Sequence, residues 1–389
     1  MALETDLLII GAGFSGLVVA ERLSNELGVR CLVVDRRAHI GGNAADEYDA
    51  AGVLVHKYGP HYFRSNSDEI VRYLSRFTDW LPVDYQILSF TRERYWQFPI
   101  NLTTFEQLVG HPATEGDFRE WIDRHRVPIS SPANSEEVII SQVGWELYEL
   151  FFKGYTLKQW QRHPRDLDAS VCGRIPIRTN RDNRYLSERF QALPKSGYHA
   201  LFSNLLRACS RTHLLLNADY RDVMHQVRAR HVVFTGPIDE YFGYCYGRLP
   251  YRSLRFEARS FSSEELIAGT SSSHGQRFWQ PAMQVNYPND HDYTRTVEIK
   301  HATQQRCENT TVVFEYPQSH TESTEAYYPI PSEDSRRLYE KYAEKARHTP
   351  GVTFTGRLAT YRYYNMDQVV ASALTVAKKL SVELGRAVS

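Results

Sequence analysis

The sequence predicts an α/β protein: a parallel-sheet nucleotide-binding domain, an inserted helical domain and an antiparallel β-sheet domain. Three observations carry that reading. The apolar run 6–10 passes straight into Gly11-Ala-Gly13-Phe-Ser-Gly16 and then into apolar residues at helical spacing from Leu17 to Leu27. A second apolar run, 31–34, ends on Asp35, so strand, glycine turn, helix, strand and acid fit in about 30 residues, the size of a βαβ unit. Beyond residue 250 the pattern is of alternating, aromatic-rich strands.

The elements follow in order. Residues 6–10 read as a strand buried on both faces. Gly11 permits the tight turn, Gly13 lets a pyrophosphate approach the backbone, and Gly16 lets helix and strand pack closely; with Phe14 and Ser15 they open a helix whose N-terminus favours an anion. Asp35 is placed to accept from a ribose, so the segment predicts a Rossmann-like dinucleotide site. NAD and FAD both suit it; the second glycine pair, Gly41-Gly42 before Asn43, favours FAD. Residues 81–100 alternate apolar and polar, predicting antiparallel strands, and helical spacing starts near 103. Asn134 caps a helix predicted over 136–160, with Glu137 three residues on. Residues 162–186, rich in Arg, Asp, Asn and Pro, read as a mobile connection. Strands are predicted at 251–258, 277–286, 293–301 and 311–317, and a last helix from Met366 to about Leu384, with Asn365 as its N-cap and Gln368 three residues on.

Composition narrows the function classes. With Lys+Arg 46 and Asp+Glu 46 in 389 residues there is no field of one sign to hold nucleic acid, so an anionic ligand must be met by local arginines. The five cysteines, Cys31, Cys172, Cys209, Cys245 and Cys307, lie too far apart for a zinc or redox motif, and an odd number argues against a disulfide framework. The most apolar run, Leu7 to Ala20, carries glycines and is too short to span a bilayer. The expectation is a cytoplasmic, soluble protein with no metal.

The ordered motifs resemble the UDP-galactopyranose mutase family of flavoenzymes. They are Asp35 with Gly41-Gly42-Asn43, Gly59-Pro60-His61-Tyr62-Phe63, Phe98-Pro99-Ile100-Asn101-Leu102, Gly154-Tyr155-Thr156-Leu157-Lys158-Gln159-Trp160, Arg174-Ile175-Pro176-Ile177-Arg178 and Asp182-Asn183-Arg184-Tyr185. Tyr251-Arg252-Ser253, Tyr293-Thr294-Arg295, Glu315-Tyr316-Pro317, Tyr327-Tyr328-Pro329, Gly356-Arg357-Leu358 and Tyr363-Tyr364-Asn365-Met366-Asp367 continue the set in the family's order. The resemblance implies a domain division: 1–80 with 192–250 and 333–389 bind FAD, 103–170 is helical, and 81–102 with 171–191 and 251–332 form the antiparallel sheet. It implies a pyranose–furanose mutase for a nucleotide sugar, UDP-galactose first, in which N5 of reduced flavin attacks the anomeric carbon, the nucleoside diphosphate leaves, and the sugar ring opens and recloses. The helical segment 103–160 offers apolar surface for a homodimer, and the flavin would need an external donor of electrons.

The family's site residues carry over position by position. Arg174, Arg295 and His61 are the catalytic candidates. Gly11, Gly13, Phe14, Ser15, Gly16, Asp35, Arg36, Gly42, Asn43, Tyr58, Gly59, Arg357, Met366 and Asp367 are candidates to hold FAD. Asn101, Phe151, Tyr155, Thr156, Trp160, Tyr185, Arg252, Glu315, Tyr328, Tyr363 and Asn365 join the two arginines as substrate candidates. Chemistry supports the pattern. Arginine is a permanent, planar fork for diphosphate oxygens, phenols donate without adding charge, and Phe151, Tyr155 and Gln159 share one helix face that can stack a base. Arg174, in the predicted connection, could swing in after the nucleotide binds and shut out water. Two positions depart from the usual pattern: Arg64 stands where a second histidine is common, and Asn365 where aspartate is common. They leave open a different nucleotide sugar, such as a GDP-sugar or a deoxyhexose. A remoter alternative is an amine-oxidase-like flavin oxidoreductase.

Overall fold

The computed structural model describes residues 3–266 and 277–385. Its centre is a five-stranded, wholly parallel sheet in the order Thr212–Leu215, Cys31–Val34, Leu3–Ile10, Val227–Phe234, Val352–Phe354. The first strand starts three residues before the apolar run, because pairing of Leu3 with Val227 continues the ladder into exposed sequence. Leu7, Ile9, Val33 and Val233 are completely buried. Helix Phe14–Leu27 follows the glycine turn and packs along the C-terminal helix Met366–Gly385. Gly16 makes that layer possible, since a Cβ there would lie 1.9 Å from the Gly11 carbonyl oxygen.

The second sheet has seven strands, in the order Tyr328–Pro329, Tyr251–Phe261, Thr310–Ser319, Arg295–Val297, Gln284–Asn286, Ile87–Thr91, Arg94–Phe98. It is antiparallel except where Gln284–Asn286 pairs in parallel with Ile87–Thr91, so it is mixed rather than purely antiparallel. Two predicted strands are shorter than their apolar patterns. Over 277–283 the chain turns around the Glu298 carboxylate, which accepts from the Trp279 and Gln280 N–H groups that a strand would have used on a ladder. Lys300–Thr303 is a helical turn rather than the end of a strand over 293–301.

The helical segment includes Leu102–Val109, Glu115–His125 and Ser135–Tyr148, then a π-turn Glu149–Lys153 and helix Gly154–Trp160. The single helix predicted over 136–160 is thus broken. Gly144 leaves helical geometry at φ 78°, and only glycine fits there, since a Cβ would sit 2.3 Å from the His125 carbonyl oxygen of the neighbouring helix. Asn134 caps the helix as predicted, accepting from Glu137 N–H. At the C-terminal helix the expected cap is half formed. Asn365 N–H donates to Gln368 Oε1, but the Asn365 side chain is engaged elsewhere.

Candidate active site

One long cleft opens at the C-terminal ends of the parallel strands, where nucleotides bind in such sheets. Ile10, Val34 and Phe234 close its floor, and the walls run from Gly11, Gly13, Phe14 and Ser15 past Asp35 and Arg36 to His61, Arg357 and Met366. The helix Phe14–Leu27 starts here with no side-chain cap and no acid in its first turn. A buried, uncapped helix N-terminus calls for an anion. Gly13 and Gly42 face each other, such that a Cβ on Gly42 would lie 3.2 Å from the Gly13 Cα. The backbone is therefore bare along the stretch where a diphosphate would lie. Asp35 accepts from Ala12 N–H at 2.8 Å and Arg37 N–H at 2.9 Å, which fixes its carboxylate and leaves lone pairs toward the cleft. Glu325, on the far domain, accepts from both Arg36 and Arg37, and Arg37 donates to Asn43. These residues fit a dinucleotide.

At the other end of the cleft, the His61 ring nitrogen Nδ1 meets the Gly59 carbonyl at 2.8 Å, so Nδ1 carries the proton and Nε2 the lone pair. Burial depresses this histidine, the carbonyl opposes, and the charges of Arg357, Arg295 and Arg37 press it further down, to about 4. It is neutral at neutral pH.

A second cleft adjoins, walled by the helical segment on one side and the seven-stranded sheet on the other. Phe151, Tyr155, Thr156, Gln159 and Trp160 line one wall, and Gln284, Asn286 and Arg295 the other, with Arg174, Tyr185, Tyr328 and Tyr363 between them. Sheet register sets the key pair: Arg295 stands directly opposite Glu315 on one neighbouring strand and opposite Asn286 on the other. Both Nε and Nη2 of Arg295 contact Glu315 Oε2 at 2.8 Å, and Glu315 is 1% exposed with Oε1 buried and unpartnered. Burial would lower Arg295, yet the Glu315 carboxylate holds it well above its ordinary value.

Arg174 lies 4.8 Å from the Tyr363 ring centroid, and Arg357 lies 5.5 Å from the same ring and 5.6 Å from Tyr328. Tyr328 and Tyr363 are themselves stacked. Arg174, which the sequence allowed to swing in, already has its cation seated on an aromatic face of the cleft. Three arginines and one glutamate give this region a net charge of about +2, the complement of a diphosphate.

The two departures from the usual pattern touch each other. Arg64 Nη2 donates to Asn365 Oδ1 at 2.9 Å, while Arg64 Nε lies 3.5 Å from Glu188. All three line a chamber that shares Trp160, Arg174, Tyr185 and Tyr363 with the aromatic cleft. Other candidates lie elsewhere. Asn101 is fully buried as the cap of helix Leu102–Val109 and donates to Asn183. Arg252 is buried beneath the C-terminal end of helix Gly154–Trp160, where it donates to the Gln159 carbonyl and Gln161. The Tyr58 hydroxyl meets His39 at 2.7 Å, under the Arg37 guanidinium. Asp367 accepts from Ser65 and Gln368 rather than facing the cleft. Gly59 packs against Glu315, and Gly16 against Gly11. Sequence reasoning missed Tyr85, Gln284 and Asn286, a chain of side-chain hydrogen bonds at the cleft wall. Only sheet pairing brings them together.

Comparison with known proteins adds an independent line. A family model described as UDP-galactopyranose mutase matches residues 150–363, and one described as an NAD(P)-binding Rossmann-like domain matches 9–77. The chain is 34% identical over 378 residues to a Klebsiella pneumoniae protein named "Probable UDP-galactopyranose mutase", covering 96% of this chain and 94% of that one. It is 33% identical over 379 residues to a dTDP-fucopyranose mutase of Escherichia coli, covering 95% and 97%. Among solved structures, a crystal structure of reduced UDP-galactopyranose mutase superposes with a TM-score of 0.73 at 16% identity, over 99% of this chain and 95% of that one. A putrescine oxidase variant superposes at 0.60 with 13% identity, over 98% and 99%, a likeness of fold alone. Among the described residues no helix is long and apolar enough to cross a membrane.

Proposed function

The chain belongs to the UDP-galactopyranose mutase family of isomerases, and from that membership we propose that it interconverts the pyranose and furanose forms of a nucleotide sugar, UDP-galactose first, with FAD as cofactor. The observation that carries the reading is the cleft itself: Arg174 and Arg295 with three phenols, beside a base-sized aromatic wall.

FAD suits the first cleft. Its diphosphate would meet the bare helix N-terminus at Phe14 and Ser15 and the glycines Gly13 and Gly42, its ribose Asp35, and its ring system the region of His61, Arg357 and Met366. Bound and reduced, it supplies an electron-rich nucleophile that is regenerated without net redox change.

The chain's own residues do the rest. Phe151, Tyr155 and Gln159 hold the base. Arg174 and Arg295 neutralise the diphosphate as the anomeric C–O bond breaks, and Tyr185, Tyr328 and Tyr363 donate to its oxygens. Keeping the leaving group bound lets it return to the same carbon. Burial raises Tyr328 to about 12 and pushes Tyr155 up as well, so these phenols stay protonated donors near neutrality. Glu315, buried behind Arg295, anchors its guanidinium.

A second substrate reading has a specific basis, since the Arg64–Asn365 pair lines the chamber beyond Arg174 and the dTDP-fucopyranose mutase is nearly as similar to this chain as the Klebsiella relative. Another nucleotide hexose is then the substrate of the same reaction. Self-association through the helical segment belongs to the proposal too, with Trp145 of helix Ser135–Tyr148 49% exposed; a concentration-independent monomer mass in light scattering would remove it. The main test is anaerobic incubation of dithionite-reduced protein with UDP-galactose, dTDP-fucose and a GDP-hexose. The expected result is ring interconversion without stoichiometric use of reductant. Turnover only with an electron acceptor would point to an oxidoreductase instead.

A further inference from the structure

The proposed chemistry leaves Lys158 unused, although it sits in the middle of the base-binding helix. Its ammonium meets four backbone carbonyls of a single loop: those of Tyr287, of Asp290 and His291 at 3.1 Å, and of Tyr293 at 3.2 Å. An ammonium has three protons, so the loop curls around it as it would around a bound cation. One turn earlier, Gly154 has ordinary helical geometry, φ −65°, and needs no glycine for its backbone. A Cβ there would lie 2.3 Å from Asn289 Oδ1 and 2.5 Å from the Pro288 carbonyl oxygen. The missing side chain is what lets the loop reach the helix. Asn289 adds the third fastening, donating to the Leu150 carbonyl and to Thr91 Oγ1, each at 3.1 Å.

We propose that Lys158 is a positioning residue: with Gly154 it clasps the 287–293 loop to the base-binding helix and so fixes Arg295 relative to Tyr155 and Trp160. The connectivity gives the reason. The loop joins strand Gln284–Asn286 to strand Arg295–Val297, and Tyr287 N–H donates to the Thr294 carbonyl one residue before Arg295. Helix Gly154–Trp160 supplies the opposite wall of the cleft. Base and diphosphate are parts of one ligand, so the two walls must keep a fixed separation, and the clasp lies where they meet. Lysine suits it and arginine does not, because converging carbonyls match a compact ammonium rather than a planar fork.

The inference rests on the nucleotide-diphosphate reading above. Its test uses FAD-loaded protein, with UDP titrated calorimetrically into the oxidised form and turnover measured on the reduced form. Lys158→Met and Gly154→Ala are each expected to weaken UDP binding on the order of tenfold and lower kcat on the order of 10²-fold, the scale of a small misplacement remote from the chemistry. Flavin occupancy should stay near that of the unaltered protein, while Tm falls modestly in both, since Lys158→Met leaves loop carbonyls unpaired and the Gly154→Ala Cβ displaces the loop. Helix propensity alone favours alanine at 154, so a loss there reports the displaced loop. The double variant should be little worse than either single one, as expected for parts of one clasp, and Lys158→Arg should rescue neither quantity fully. UDP affinity and kcat within twofold of the unaltered protein in both single variants would overturn the inference. So would losses confined to variants that also lose flavin, since that is the pattern of a merely structural lysine. If the unaltered protein binds no UDP and turns over no nucleotide sugar, the wider reading fails and takes this one with it.

Discussion

The two clefts are built by opposite means. The dinucleotide cleft turns on backbone: one glycine turn, one helix end and one acid lie within residues 11–43, and His61, Phe234, Arg357 and Met366 complete its walls. The arginine cleft is made of side chains from segments as far apart as Tyr85 and Tyr363, brought together by sheet register and by the π-turn and helix of 149–160. A cleft of backbone is broken by adding atoms, and a cleft of side chains by removing them.

The largest expected effect follows from the first half of that contrast. Gly16→Ala would drive a Cβ to 1.9 Å from the Gly11 carbonyl oxygen, where no flexible side chain can give way. The protein is expected to purify without flavin, read from its visible spectrum, and to be inactive. Full flavin loading would break the account of this cleft.

Next come the two arginines, which should part company in stability. Either alanine substitution should cost catalysis about 3–4 kcal/mol, by analogy with removal of one preorganised charge donor. Arg295→Ala should in addition destabilise the fold by about 3–5 kcal/mol, because it strands the buried Glu315 carboxylate. Arg174 is exposed and rests on Tyr363, so its loss should leave Tm nearly unchanged. Equal melting temperatures for the two variants would contradict the distinction.

A smaller effect concerns pH. Burial pushes the Tyr363 phenol up, but Arg174 and Arg357 outweigh it and bring it from 10.0 down to about 8. A group lowered in the folded state stabilises in its ionised form, so this contribution is complete above pH 10 and lost as pH falls through 8. Nucleotide binding runs the other way, because a phenolate neither donates to phosphate nor tolerates its charge. KM should therefore rise between pH 8 and 10, and Tyr363→Phe should lack that rise. An identical profile in the variant would exclude Tyr363 as the titrating group.

The smallest effect is at the paired departures. Asn365→Asp converts the hydrogen bond with Arg64 into an ion pair worth no more than about 1 kcal/mol in this part-exposed setting. Its sharper readout is a double-mutant cycle with Arg64→His on kcat/KM for UDP-galactose. Non-additive effects are expected if the two residues act as one unit.

The same contrast explains what could be read from the sequence. The apolar run 6–10 leads straight into the glycine turn and the strand at 31–34 straight into Asp35, so local pattern alone located them and the sheet they open. Phe151, Tyr155 and Gln159 were legible as one helix face even though a π-turn interrupts the helix. Gln284 and Asn286 were not, since a three-residue strand has no pattern of its own and they reach the cleft only by pairing with Ile87–Thr91 and Arg295–Val297. Arg252 illustrates the converse: a motif arginine expected at substrate instead secures the end of helix Gly154–Trp160. Composition could not reveal that Arg64 and Asn365, 301 positions apart, form a hydrogen bond.

The most direct test of the central claim follows an isotope. UDP-galactose carrying ¹⁸O in the bridge between the anomeric carbon and the diphosphate is incubated with reduced protein, and recovered substrate is examined by ³¹P NMR. If the arginine cleft holds a diphosphate that has left the sugar, the label should spread to non-bridging positions with reduced protein and stay in place with oxidised protein. Ring interconversion with the label still wholly in the bridge would contradict a diphosphate that leaves the sugar and turns in the cleft before it returns.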